Sequence, residues 1–411
     1  MDKYDLEPKE FYIIKKIELE NGNLLYDLAP IKENNACPLC GGRGTKHGKP
    51  KKPRKVRDIS QSFISVGLRI YPNRYMCKDC GHTFLPEFVS VDSNARMTNR
   101  MKDYIKNKSL TTPFKTLADE CGLSDTTVKH CFEARIEELR HCHELYAPEV
   151  LGIDENHLND DYLMGVFVDV QKRKLLELLP KRDKNTVKKF IKSLPDYDKN
   201  IKVVTIDMWK GYKFAVYETI PNAIVVIDKF HVVKEINSVL NKFRKDFSKN
   251  IADPDKKKKL YYSRYLMLKA KERLSKEQEQ RRDKLFKEFP ELERPYRIKE
   301  MLRGLYKQET REDAESWYET IKALVSEYEG ADDFFTVFHT IDYWHTEIFN
   351  YFDHKYTNAI TEGINKQINE IGDQGRGYTF KVLREKAIYR QYSKHPAKFV
   401  FPDDDDIINT D

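Results

Sequence analysis

Two sets of residues in this 411-residue chain have the types and spacing that chemistry needs. The first is four cysteines in two similar repeats, Cys37-Pro-Leu-Cys40-Gly-Gly and Cys77-Lys-Asp-Cys80-Gly-His. Each repeat places two thiolates on one tight loop. Two such loops brought together form a closed tetrahedral site that suits Zn²⁺ in a structural role. Zn²⁺ held by Cys37, Cys40, Cys77 and Cys80 is therefore expected, with His47 and His82 as alternative ligands. A redox pair or buried free thiols would account for one Cys-x-x-Cys, but two, each followed by glycine, favour the metal.

The second set is Asp154, Asp207 and Asp228, each of which closes a short apolar run. Carboxylates at the ends of parallel strands emerge together at one edge of a sheet, where open α/β sheets bind ligands. They repel one another unless a hard cation neutralises them, so Mg²⁺ or Mn²⁺ with oxygen ligands is expected. Two such ions side by side are the machinery of phosphodiester displacement. A single aspartate at a strand end is more often a turn or cap residue; three in matching positions carry more weight.

The elements that must position these carboxylates follow from periodicity. Residues 149–155, 162–170 and 174–179 read as strands, 186–194 as an amphipathic helix, 202–207 as a strand, 210–219 as a helix and 223–228 as a fifth strand. The order β-β-β-α-β-α-β is that of the ribonuclease H-like fold. A charge-dense helical block follows over 232–344, its lysine runs (256–259 among them) reading mostly as solvated helix face. Beyond it Ile360, Ile364, Ile368 and Ile371 recur at helical spacing and mark a buried stripe, with Glu362 off the stripe beside Gly363. The glycine-rich 372–377 segment, with Arg376 and Tyr378, reads as a loop able to meet a phosphate.

The N-terminal part has a different character. Strands at 62–71 and 74–77 are expected to complete a zinc ribbon around the cysteines. Between the pairs lie Lys49, Lys51, Lys52, Arg54, Lys55 and Arg57, a basic run that Pro50 and Pro53 keep extended as a loop. Clustered cations of this kind gain by releasing counterions from a phosphate backbone. Helices then follow at 96–106, 114–121 and 124–139, with Gly122 at a turn and Ser124 as an N-cap. Short helix, glycine turn and longer helix make a helix-turn-helix pattern in which Thr126, Thr127, Lys129 and His130 would face the major groove. Generic three-helix packing reads the same way. Cys121, Cys131 and Cys142 are core or incidental thiols.

Composition narrows the classes. Charged residues make up 34% and hydrophobic residues 40%, which excludes collagen-like and wholly disordered chains. The net charge is +7, from 73 basic and 66 acidic residues, so basicity matters by location rather than in total. No apolar run is long enough for a membrane span and Met-Asp-Lys-Tyr-Asp is not a signal peptide, so a cytoplasmic protein without membrane partners is expected.

At Gly152-Ile-Asp154-Glu155, the Asp207 segment, Asp228-Lys-Phe-His231 and Asn358-Ala-Ile-Thr-Glu362-Gly-Ile-Asn365 the chain resembles the DDE transposases of bacterial insertion sequences, specifically the ISL3 family. That resemblance implies a multidomain α/β protein divided as follows: a zinc ribbon segment at 1–93, a helix-turn-helix at 94–147, a ribonuclease H-like domain at 148–231 and 346–411, and a helical insertion at 232–345. It implies a catalytic, metal-binding triad of Asp154, Asp207 and Glu362, with Asp228 and His231 in support and Asp228 the rival of Asp207 for a metal. It further implies double-stranded DNA, both transposon ends and target, as partner, a homodimer or larger assembly, and a nucleoid-associated location. Tyr343 and Trp344 would stack on an unpaired base or, as the better-supported reading, pack in the core. Met208-Trp209 and the acidic run at 402–406 depart from the family pattern. A domesticated DNA-binding regulator, or a nuclease without strand transfer, are the competing functions.

Overall fold

The computed structural model describes residues 9–50, 52–61, 64–158, 163–328 and 332–394. Contacts divide the chain into two compact units, one formed by residues 1–144 with 373–411 and the other by 145–372. Lys51, among the basic candidates, and the acidic run at 402–406 lie outside the described residues.

The first unit holds two sheets. Strands β1 (Phe11–Glu18), β2 (Leu24–Pro30), β4 (Arg54–Gln61) and β5 (Ile64–Ile70) form a four-stranded sheet in the order β1-β2-β5-β4, and β3 (Gly44–Lys46), β6 (Tyr75–Cys77) and β7 (Thr83–Phe84) form a small three-stranded one. This corrects two expectations. The strand read at 62–71 does not serve the cysteine ribbon; it pairs parallel to β2 and antiparallel to β4 over a core of Phe11, Leu28, Val56, Val66, Leu68 and Ile70. Nor is the basic run wholly a loop. Arg54, Lys55 and Arg57 lie on β4, which begins just past Pro53, because a proline within the strand would remove a donor from the ladder. Val56 turns inward between the outward Lys55 and Arg57, the two-residue period of a half-buried strand.

Helices α1 (Asn99–Lys108), α2 (Phe114–Cys121) and α3 (Asp125–Leu139) follow. Gly122 adopts φ +62° where α2 ends, and the Ser124 hydroxyl accepts the Thr127 N–H to cap α3. Val128, Phe132 and Ile136 are the buried face of α3, with Phe132 against Phe114 at 5.1 Å. Cys121 and Cys131 are buried and Cys142 is exposed.

In the second unit β8 (Val150–His157), β9 (Leu163–Asp169), β10 (Lys174–Leu179), β11 (Val203–Ile206) and β12 (Ile224–Ile227) form one mixed sheet in the order β10-β9-β8-β11-β12. β10, β9 and β8 are antiparallel; β8, β11 and β12 are parallel. All four residues of β11 are buried, as a strand covered on both faces requires. Helices α4 (Lys184–Ser193), α5 (Tyr197–Asn200) and α6 (Lys210–Thr219) connect the strands, and α7 (Lys229–Lys249) leaves β12. Among the described residues every element of the block after it is a helix: α8 (Pro254–Tyr262), α9 (Arg264–Leu268), α10 (Lys276–Glu288), α11 (Glu293–Gly304), α12 (Arg311–Ser326) and α13 (Asp332–Tyr343). The chain returns through α14 (His345–His354), whose Asn350 donates to the Val225 carbonyl of edge strand β12 at 2.8 Å, and α15 (Ala359–Gly375). No described helix is long and apolar enough to cross a membrane.

The last described helix, α16 (Phe380–Tyr389), packs in the first unit. Lys386 anchors it. Its ammonium is buried and donates to the Ser109 and Thr112 carbonyls beyond the end of α1, within 4.6 Å of the Phe114 ring centroid, 5.3 Å of Tyr378 and 5.5 Å of Phe132. Burial pushes this ammonium down to about 7 from the ordinary 10.5. Between those two pH values unfolding takes up a proton, so the lysine's contribution to stability rises with pH. The thermal midpoint of the wild type should therefore gain on that of Lys386→Met from pH 7 to pH 9, in parallel melts of the two proteins. A difference that stays constant across that range would show that Lys386 remains charged in the folded chain.

Candidate active site and metal centre

The three aspartates line up because the strands do. Val203 pairs with Val150 and Thr205 with Gly152, and continuing that register sets Asp207 beside Asp154. Ile206 pairs with Ile227, which sets Asp228 beside Asp207. Asp154, Asp207 and Asp228 are thus one row across three adjacent parallel strands, at 5%, 8% and 2% exposure. Each uses part of its carboxylate on a nearby backbone N–H: Asp154 on Glu155 at 2.9 Å, Asp207 on Trp209 at 3.0 Å, and Asp228 on Phe230 at 3.3 Å, where it caps α7.

Burial raises all three acids. Asp154 rises furthest, to about 7, because the charges of Asp207, Asp228 and Glu362 add to its burial. Glu362 comes from the first turn of α15, and His231 near it is held below its ordinary value by burial and by Lys234. Cations oppose the crowding. Arg182 and Lys234 both lower Asp207, and Arg182 also pairs with Glu155 and lies 4.7 Å over the Trp209 ring.

What brings α15 over the strand ends is a polar face rather than the isoleucine stripe. Ile368 is buried, but Ile360, Ile364 and Ile371 are only half-buried; the fully enclosed positions are Asn358 and Thr361. Asn358 accepts the Thr205 hydroxyl at 2.5 Å, and Asn365 donates to Asp154 Oδ2 at 3.0 Å and to the Glu155 carbonyl at 3.1 Å. Asn156 returns a bond to the Asn365 carbonyl at 3.0 Å. Gly152 makes the approach possible: a Cβ there would stand 3.1 Å from Thr361 Oγ1 and 3.0 Å from Val170 Cγ2. Asn358, Thr361, Glu362 and Asn365 share one helix face through their spacing of three, four and seven, a signal available in the sequence. Gly363 faces open space. Trp344 is core at 3% exposure, whereas Tyr343 is 43% exposed beneath the ammonium groups of Lys210 and Lys213.

The cysteines form a second centre. Ligand atoms of Cys37, Cys40, Cys77 and Cys80 all lie within 4.8 Å of one another, and among the described residues no other group of three or more His, Cys, Asp or Glu is as tight. Neither His47 nor His82 belongs to it. Gly41 and Gly81, directly after the second cysteine of each pair, take φ +72° and +70° and donate back to the Cys37 and Cys77 carbonyls. Backbone N–H donors, that of Cys80 foremost, hold the Cys77 thiol down to about 7, while contacts among the thiols push Cys40 up to about 12 and Cys80 up as well. This donor set fits a zinc ion; the carboxylate row, with oxygens alone, fits a hard divalent cation.

The sequence profile of a transposase family, ISL3, matches residues 151–387, the stretch that carries the carboxylate row, Glu362 and Asn365. The chain belongs to the ISL3 transposase family. It is also 26% identical over 359 residues to the transposase for insertion sequence element IS1001 of Bordetella parapertussis, covering 85% of this chain and 87% of that one.

The remaining candidates of this ISL3 transposase fall in two places in its first unit. Lys49, Lys52, Lys55 and Arg57 are exposed at or near β4, while Arg54 is taken up by the Asp92 and Ala95 carbonyls. Thr126, Lys129 and Arg376 line one groove of about 680 Å³ with Lys115 and Tyr378, so the loop after α15 joins the helices it was read apart from. Arg376 takes φ +45° there. Thr127 is half-buried with its hydroxyl against Ser124, and His130 is exposed.

Gly152→Val tests the seat of α15. Overpacking at this site should lower stability by about 1–3 kcal/mol in chemical denaturation. An unchanged midpoint would mean that α15 does not press on β8.

Proposed function

We propose that this chain is a DDE transposase that binds the terminal inverted repeats of its insertion sequence and performs metal-dependent DNA cleavage and strand transfer on a ribonuclease H-like catalytic domain. The observation that carries the reading is the single row of Asp154, Asp207 and Asp228 with Glu362 close enough to raise Asp154. The strand order supports the same fold. Asp154, Asp207 and Glu362 would hold Mg²⁺ or Mn²⁺, and Asp228 and His231 would support them. The cations, when bound, supply Lewis acidity toward the reacting phosphodiester oxygens. The chain's own residues do the positioning. Asn365 holds Asp154 Oδ2 and the Glu155 N–H holds Oδ1, which fixes the carboxylate's orientation, and Asp228 remains tied to the start of α7. Burial raises Asp207, and the Trp209 N–H, Arg182 and Lys234 oppose that rise.

Zn²⁺ on Cys37, Cys40, Cys77 and Cys80 would fasten the ribbon without taking part in the reaction. Duplex DNA would be met by the exposed basic residues near β4 and by the groove of Thr126, Lys129 and Arg376, with Thr127 and His130 beside it. Joining two ends calls for a homodimer or larger assembly, acting at the nucleoid.

Glu362→Gln and Asp154→Asn should abolish Mg²⁺-dependent nicking and joining of a marker flanked by the element's own neighbouring DNA, with end binding kept within about threefold by gel shift. Equal loss of binding and cleavage would sink the triad assignment. Nicking without joining would instead make the protein a nuclease. Purified wild type should carry about one zinc per chain by elemental analysis, and Cys40→Ser well under that with a lower thermal midpoint. Equal zinc content in both would remove the ribbon assignment.

A further inference from the structure

On α8 and α9 of the helical insertion three aromatic rings stand exposed among the described residues. We infer that the tip formed by α8 and α9 is a second DNA-contacting surface, gripping duplex DNA through phosphate and ring contacts separately from the carboxylate row; this rests on the reading of the chain as a DNA-processing enzyme. An α-helix turns 100° per residue, so when Leu260 of α8 faces inward, Lys258 and Tyr262 lie on the opposite side and Tyr261 on the flank, while Lys257, one turn before Leu260, is exposed at the rim. Leu260 is fully buried, and Tyr261, Tyr262 and, one turn on, Tyr265 are 71%, 66% and 77% exposed. Among the exposed aromatic rings of the described chain these three are the most open to solvent.

The tip is built, not frayed. Arg244 of α7, itself buried, donates to the Leu260 carbonyl at 2.7 Å, the Ser263 hydroxyl donates to the same oxygen at 2.7 Å, and Met267 anchors α9. Rigid rings facing water are a poor use of apolar surface unless a partner covers them. The charges around them say which partner. Lys259 pairs with Glu288 at 2.9 Å, but Lys257, Lys258 and Arg264 have no ion pair among the described residues, and Arg264 lies 5.6 Å over the Tyr265 ring. Unpaired cations interleaved with rings suit a polyanion that also offers sugar and base surface, which is nucleic acid. A second copy of this chain would bring the same cations face to face, and like charges across an interface oppose it.

The test uses the full-length protein and a labelled duplex of arbitrary sequence, without added divalent cation. The triple variant Lys257→Gln, Lys258→Gln, Arg264→Gln should bind about tenfold more weakly at roughly 100 mM salt, and the slope of log affinity against log salt should shrink by about 2–3. Tyr261→Ser, Tyr262→Ser, Tyr265→Ser should weaken binding several-fold with the slope unchanged, because the rings carry no charge. Both variants should keep Mg²⁺-dependent nicking at saturating DNA, whereas Glu362→Gln should lose nicking and keep the binding. Wild-type affinity and slope in both variants would overturn the inference. So would a change confined to sedimentation behaviour, a stronger defect on single strands than on duplex, or a wild type that binds no DNA. A binding defect in a protein that never nicks would uphold the tip and reject the catalytic reading.

Discussion

Like charges held close together in a poorly solvated place govern the design of the second unit. Asp154, Asp207 and Asp228 stand side by side with little access to water; burial raises all three, and the charges of Asp207, Asp228 and Glu362 raise Asp154 further. Flexible loops would let such groups swing apart. Parallel strands in fixed register do not, because moving one aspartate means slipping a ladder that is buried on both faces. The hydrophobic cluster around β8, β11 and β12 thereby does electrostatic work: it supplies the rigidity against which the carboxylates repel. Asn365, Arg182 and Lys234 then moderate the repulsion with a hydrogen bond and two positive charges.

The cysteine centre solves a related problem at lower cost in scaffolding. Its thiols come from two short turns on a ribbon of three small strands, with a core, among the described residues, of Cys37, Tyr75, Cys77 and Phe84. A cluster of that size buries too little apolar surface to be stable alone, and four thiols at this spacing could hold a metal as its fastener. The second unit has the opposite balance, a large core that would fold around its carboxylates and present them.

Much of this was readable before any coordinates. The apolar runs ending in Asp154, Asp207 and Asp228 are short, uninterrupted and bounded by turns, so both the strands and their matching ends are local properties of the chain. The helix from Phe114 to Cys121 and the cap at Ser124 are local in the same sense. What escaped was partnership. Residues 64–70 read correctly as a strand but were given to the wrong sheet, because β2, which claims them, lies some distance earlier in the chain and was not read as a strand at all. On α15 the isoleucines drew attention to an apolar stripe, while Asn358, Thr361 and Asn365 do the docking; a polar residue declares itself buried only once its partner, here Thr205 or Asp154, is known. Tyr343 and Trp344 show the same limit, being adjacent in sequence and opposite in environment.

The anchoring of α16 has a temporal meaning. The first unit is assembled from segments on either side of the second, and its helices α1 to α3 emerge from the ribosome long before the helix that completes them. Until Lys386 arrives, the Ser109 and Thr112 carbonyls lack their donor and the rings of Phe114 and Phe132 lack their cover. A nascent or prematurely terminated chain therefore carries this unit unfinished. Maturation of helices α1 to α3 is deferred until α16 has been made, by which point the whole carboxylate row has already been synthesised.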